Sequence, residues 1–235
     1  MSFPLGMPVS RVSATARVDY LKKVLAITAF GLILSGMTGM FTAGALAPVT
    51  SLLSGFLPML LILGCWAVTN FVARPMVFGA AKWPGFLLGT VAQGVAMGFL
   101  LLVAMLVSTA QFGNPFIFIG VAMAMTGFTG IGMAAYVWTG PKNFSMIGAG
   151  LSALSIPMLI LMAVSFAFPS MLGGGIGIAL SFLFVGISAA GLLYQVNEVI
   201  HNFDTDQHME AAYTVTIGVL VLFWNLLSLL MRLRR

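Results

Sequence analysis

Acid–base or metal chemistry in this chain would have to be built from five acids, two histidines and one cysteine. The acids are Asp19, Glu198, Asp204, Asp206 and Glu210; none lies deep in an apolar run, and none follows Glu210. A charge at the centre of a membrane helix costs about 2.5–3.5 kcal/mol on insertion scales. A proton relay or cation path made of buried carboxylates therefore has little to work with. The cluster that could do chemistry is Tyr194-Gln195-Val196-Asn197-Glu198, at the end of a long apolar stretch. On a helix, Gln195, Glu198 and Asn202 share one face through three- and four-residue spacing. Arg74 ends another apolar stretch on the same expected side. An Arg74–Glu198 pair would close a mouth there and open on protonation. The competing reading is an ordinary solvated helix end. Arg74, Gln195, Asn197 and Glu198 are thus gate or pore candidates. Asn225, in the last apolar stretch, is another: an amide there should hydrogen-bond a neighbouring helix, and that structural role competes with ligand binding.

Other chemistries lack their parts. There is no His-Glu-x-x-His, no Gly-x-Ser-x-Gly and no phosphate-binding loop. Gly186-Ile187-Ser188-Ala189 could hold the nucleophile of an intramembrane serine protease, but His201 and His208 both fall in the sixth loop, so no helix offers a base at depth. A retinal protein needs a lysine in its last helix, and no lysine follows Lys142. Gly173-Gly174-Gly175-Ile176-Gly177 lacks the order of a nucleotide cradle. Cys65 stands alone, and the 17 methionines read as deformable packing rather than a metal path. The expectation is no enzyme, no cofactor and no metal site.

The elements that must position these residues are set by composition. The chain is 60% hydrophobic and 6% charged, where a soluble domain carries about a quarter charged residues, so lipid must cover most of it. Seven stretches reach the roughly 20 residues a membrane helix needs: Val24–Leu46, Leu52–Val72, Pro84–Val107, Pro115–Trp138, Ser145–Phe168, Gly174–Ile200 and Tyr213–Met231. The sixth is expected to leave the bilayer near Tyr194 and continue as a wet turn. Residues 1–23 read as a cytoplasmic N-terminal tail and 24–235 as one all-α membrane domain. Short loops with turn residues, such as Gly113-Asn114-Pro115, make sequential helices antiparallel neighbours. Gly31, Ser35 and Gly39, and Gly127 with Gly130 and Gly132, read as packing faces.

The ten basic residues flank apolar stretches rather than forming a stripe, so they point to topology, not nucleic acid. Loops one, three and five carry none, whereas the N-terminal tail and loops two and four carry seven, which places the N-terminus, Arg74, Lys82 and Lys142 in the cytoplasm. Seven crossings then put Arg232, Arg234 and Arg235 outside. A last segment that dips in and returns would keep all ten basic residues inside.

Several stretches recur in one known family. They are Tyr20-Leu21-Lys22-Lys23-Val24, Ala135-Tyr136 through Lys142-Asn143-Phe144-Ser145, Leu193-Tyr194-Gln195-Val196-Asn197-Glu198-Val199 and Asn225-Leu226-Leu227-Ser228-Leu229-Leu230. In this order, over nearly the whole chain, they resemble the Bax inhibitor family (the transmembrane Bax-inhibitor-motif family), in its bacterial type. The resemblance implies seven helices, with six wrapped around a central last one. It also implies roles as pH-sensitive calcium leak pathways, or as modulators of stress responses, cell death or a membrane-embedded ATP-dependent protease. The leak pathway in that family uses two aspartates that share a proton, with an Arg at the end of helix two. Here the first aspartate falls on Gln195, the second within the apolar Val219–Leu222, and the usual Asp before helix five is Asn143. Arg74 matches, and Glu198, one turn from Gln195, could stand in partially. A paired-carboxylate switch works because like charges a few ångströms apart cannot both ionise, so without the pair it cannot run in that form.

Three functions stay open: a non-enzymatic protein acting through contacts in the bilayer, as a protease modulator or accessory subunit; a cation (Ca2+) leak gated near Arg74 and Glu198; and an intramembrane enzyme. The setting expected is a bacterial inner membrane.

Overall fold

A computed structural model describes residues 6–48, 57–138 and 174–233. The fifth expected segment, Ser145–Phe168, lies outside the described residues, as do Lys142, Asn143, Arg234 and Arg235. Among the described residues there is no strand, and five helices are long and apolar enough to cross a membrane. The helices are α1 (Ala14–Leu46), α2 (Leu57–Val77), α3 (Lys82–Phe112), α4 (Ile117–Trp138), α5 (Gly174–His201) and α6 (His208–Leu233). A short 3-10 turn, Val9–Arg11, precedes α1.

Local chemistry explains the boundaries. Ser13 caps α1, its hydroxyl accepting the Ala16 N–H at 3.3 Å. Pro84 sits in the first turn of α3, where backbone N–H groups have no partner in any case. Gly113 ends α3 in the left-handed conformation, φ 68°. The Asn114 side chain then accepts the Phe116 N–H at 2.9 Å and starts the turn into α4. Along the helices, hydroxyls donate back to the carbonyl four residues earlier, as in Thr42 to Thr38, Thr90 to Phe86 and Thr126 to Ala122. That pattern satisfies polar atoms where lipid offers none.

Several helix ends differ from the expectation: α2 runs on to Val77 rather than Val72, and α3 spans Lys82–Phe112 rather than Pro84–Val107. Helix α1 begins at Ala14 rather than Val24; with 33 residues it is about 50 Å long at 1.5 Å per residue. Helix α6 begins at His208 rather than Tyr213. The end of α5 is not wet: Asn197 is 6% and Val199 2% exposed. The common reason is that apolarity marks where a helix meets lipid, whereas capping and packing decide where it starts. The segment before α1 covers the end of α5. Val9 N–H bonds the Phe203 carbonyl at 2.9 Å, Thr205 N–H bonds Met7 O at 3.1 Å, and Ser10 Oγ donates to His201 O at 3.1 Å. Val9 is fully buried there, against Tyr20, Val199 and Phe203.

Helix α6 is one continuous helix of 26 residues rather than a dip that returns. It packs against α1, α3, α4 and α5 and touches the last turn of α2. Helices α1 and α3 meet over small residues. Ser35 Oγ donates to Thr90 O at 2.7 Å across the interface. A methyl group added at Gly94 would come 2.6 Å from the Ser35 carbonyl oxygen, and one at Gly98 2.5 Å from Thr42 Cβ. Gly31 and Gly39 face α3 in the same way, so the small-residue face of α1 is a packing face. Around Gly127, Gly130 and Gly132 nothing among the described residues lies within 4 Å of an added methyl. Gly94→Val should therefore destabilise the bundle by about 1–3 kcal/mol through overpacking, while Gly127→Val should be near neutral. Thermal unfolding of the two variants in one detergent measures the difference.

Candidate functional site

One end of the bundle gathers the ionisable groups. The ends of α2 and α5, the starts of α1, α3 and α6 and the 3-10 turn meet around Val9, Tyr20, Val77, Phe86, Val199 and Tyr213. Glu210 lies in the first turn of α6, where a helix N-terminus favours negative charge. It is 4% exposed, and Lys82 Nζ at the start of α3 reaches its Oε1 at 2.7 Å. Away from water such a pair interacts more strongly than on a surface. Removing one partner leaves the other charge buried without compensation. Glu210 Oε2 and the hydroxyl of Tyr20 are buried without a hydrogen-bond partner, and the Glu210 charge lies within electrostatic reach of the Tyr20 ring.

Tyr213 follows Glu210 by three residues and so shares its face of α6. Its hydroxyl donates to the Thr69 carbonyl of α2 at 2.8 Å. Its ring meets Phe86 edge-on, at 6.3 Å between centroids, and lies over Gly89, where a methyl would come within 2.6 Å of it. Glycine at 89 is what lets the ring reach α2.

The sequence-derived candidates fall into this end unequally. Arg74 is exposed, with its guanidinium 5.8 Å from the centre of the Phe78 ring one turn on. Glu198 is half-buried on α5. The two form no ion pair with each other: the expected Arg74–Glu198 closure is absent, and Lys82–Glu210 is the pair that joins helices here. The physical reason is exposure: Arg74 turns outward from the last turn of α2 over Phe78, while Glu198 is half-buried on α5. Gln195 presses its Oε1 onto Gly218 of α6, where it is buried without a hydrogen-bond partner. The neighbouring Val219 and Leu222 pack apolar, with Leu192. Asn197 is buried with Oδ1 unpartnered, and its backbone carbonyl lies 3.0 Å from His201 Nδ1. Asn225 is half-buried on α6, and no partner for its amide falls among the described residues. Sequence reasoning missed Glu210, Lys82 and Tyr213 as a group. The signal was present in the three-residue spacing of Glu210 and Tyr213, but placing Glu210 in a loop hid it. Among the described residues no three His, Cys, Asp or Glu side chains are placed to hold a metal.

The sequence model of the family described as "Inhibitor of apoptosis-promoting Bax1" matches residues 17–235. The chain belongs to the Bax inhibitor family. This family member is also similar to an uncharacterized protein of Pasteurella multocida (strain Pm70), 33% identical over 98 residues. That match takes in 42% of this chain and 43% of the relative, so it spans less than half of either. No solved structure matches significantly.

Lys82→Ala should lower stability more than Glu210→Gln, by about 1–3 kcal/mol, because only the first leaves a buried carboxylate uncompensated. Lys82→Met with Glu210→Leu should recover most of that loss. Melting temperatures in one detergent test the ranking, and equal effects of the two single variants would contradict it.

Proposed function

We propose that this Bax inhibitor family member is a non-enzymatic seven-helix membrane protein that acts by contact with other membrane proteins, as a modulator or accessory subunit of a membrane-embedded ATP-dependent protease. The fold we infer places the last helix among six others, with the N-terminus, Arg74 and Lys82 at the cytoplasmic face of a bacterial inner membrane, as the basic loops favour. What carries the reading is Glu210, the buried carboxylate of the polar end, already neutralised by Lys82. With Gln195 packed flush on Gly218, no carboxylate pair is left to pass a proton or a cation between α5 and α6. Faces for a partner helix are present as well: Phe41 on α1 and Phe128 on α4 are 79% and 77% exposed. Gly44 and Gly127 beside them leave room for close backbone approach. Ser188, the one nucleophile candidate raised by the sequence, spends its hydroxyl proton on the Val185 carbonyl at 3.0 Å.

The second reading is a cation leak gated near Arg74 and Glu198. It is favoured by the unpartnered oxygens of Gln195 and Asn197 on α5, since hard cations take oxygen ligands.

Purification in mild detergent followed by identification of co-purifying proteins tests the first reading. A membrane protease that stays bound, and is lost on Phe128→Ala with the fold intact, is the expected result. Proteoliposomes loaded with a calcium dye test the second. Flux that disappears in Glu198→Gln would replace contact with conduction, and no flux between pH 6 and pH 8 is what the contact reading expects.

A further inference from the structure

Helix α2 is α-helical over Leu57–Ala67 and again over Arg74–Val77, with a π-helical turn, Val68–Ala73, between them. A π turn fits one extra residue into a helix, is uncommon, and survives where something outside the helix holds it. Three side chains take up carbonyls at this one. Thr69 Oγ1 donates to Cys65 O at 2.8 Å and Asn70 Nδ2 to Trp66 O at 2.9 Å, both within α2. The third comes from α6: Tyr213 donates to Thr69 O at 2.8 Å. That same carbonyl accepts the Arg74 N–H, five residues on, the bond that defines the π register. Trp66 and Phe71, also five apart, meet edge-on at 5.6 Å between centroids. On an α-helix residues five apart lie about 140° apart around the axis, with Cα atoms about 8.7 Å apart, and a π turn brings such a pair closer.

We propose that α2 has a second register, in which the π turn closes to α, and that the Tyr213 hydroxyl is the clamp selecting the first. Losing the extra residue turns everything beyond it by about 100°. The residues beyond it are Arg74, Phe78 and the loop that leads to Lys82. The face of α6 that carries Tyr213 carries Glu210 too, and so holds α2 by a hydrogen bond and α3 by an ion pair. A partner that shifts the first turns of α6 would release both and rotate Arg74 at the basic end. The device needs no ionisation change: a hydroxyl group moves, and a helix end turns. Gly89 and Phe86 restrict the Tyr213 ring, so the clamp has one closed position.

Two measurements on the full chain in nanodiscs test this. Tyr213→Phe keeps the ring and removes the donor. Deuterium exchange over residues 68–77 should quicken about two- to tenfold, the factor one net hydrogen bond supplies, while the 85–100 stretch of α3 stays at its original rate. The register is read by Val68→Cys with Ala73→Cys, the two ends of the π turn, in a Cys65→Ser background. Oxidation should close a 68–73 disulfide when Tyr213 is present and give several-fold less with Tyr213→Phe, because Cα atoms more than about 7 Å apart cannot be bridged. If Tyr213→Phe does not fold, Gly89→Ala, which pushes the ring away, takes its place with the same expectations, the unchanged control then being read over residues 96–108 of α3. Unchanged exchange over 68–77 overturns the proposal. So does a disulfide that forms equally well without the clamp, or one that never forms with it.

Discussion

Hydrogen-bonding groups inside this bundle have no water to turn to, and that single constraint arranges most of what the structure contains. Many hydroxyls on the described spanning helices bend back to a carbonyl three or four residues earlier or cross to a neighbour, as Ser35 does to Thr90. Helices without bulky polar ties can come close, so α1 and α3 meet over glycine and serine at backbone distance. The charged residue that does go inside, Glu210, arrives with its partner and at the helix end where the backbone dipole welcomes it.

The same constraint explains why the start of α6 matters more than its middle. Leu220, Leu222, Leu226 and Leu227 fill an apolar core that dispersion and burial hold together. Such packing sets a distance between helices but tolerates sliding. Glu210 and Tyr213 are directional, one to α3 and one to α2, and directional contacts fix rotation and register. The directional contacts of α6 are therefore concentrated in its first turns.

Much of the architecture was legible in the residues. Runs of apolar side chains between Gly, Asn and Pro turns marked the helices, because length and apolarity are what the bilayer selects. Gly31, Ser35 and Gly39 marked the α1 packing face correctly, since small side chains at four-residue spacing have few other uses in lipid. Glu210 was not legible. Its neighbours Asp204, Asp206 and His208 resemble a wet loop, and only the fold shows that Lys82, far away in sequence, reaches it. The Arg74–Glu198 pair did not form because two side chains at one end of a bundle need not face each other: Arg74 turns out over Phe78. The π turn left no trace in apolarity, because it inserts a residue without changing composition.

The first described residues are stitched to some of the last. Val9 bonds Phe203, Met7 accepts from Thr205, and Ser10 reaches His201, 191 positions away. A ribosome adding roughly 5–20 residues per second needs about 10 to 40 s to travel from one to the other. Throughout that interval Val9, destined to be fully buried, must wait at the membrane surface without its cover. This end of the bundle is thus closed by two segments made far apart in time, and the cover over α5 forms only after the turn that it packs on has been synthesised.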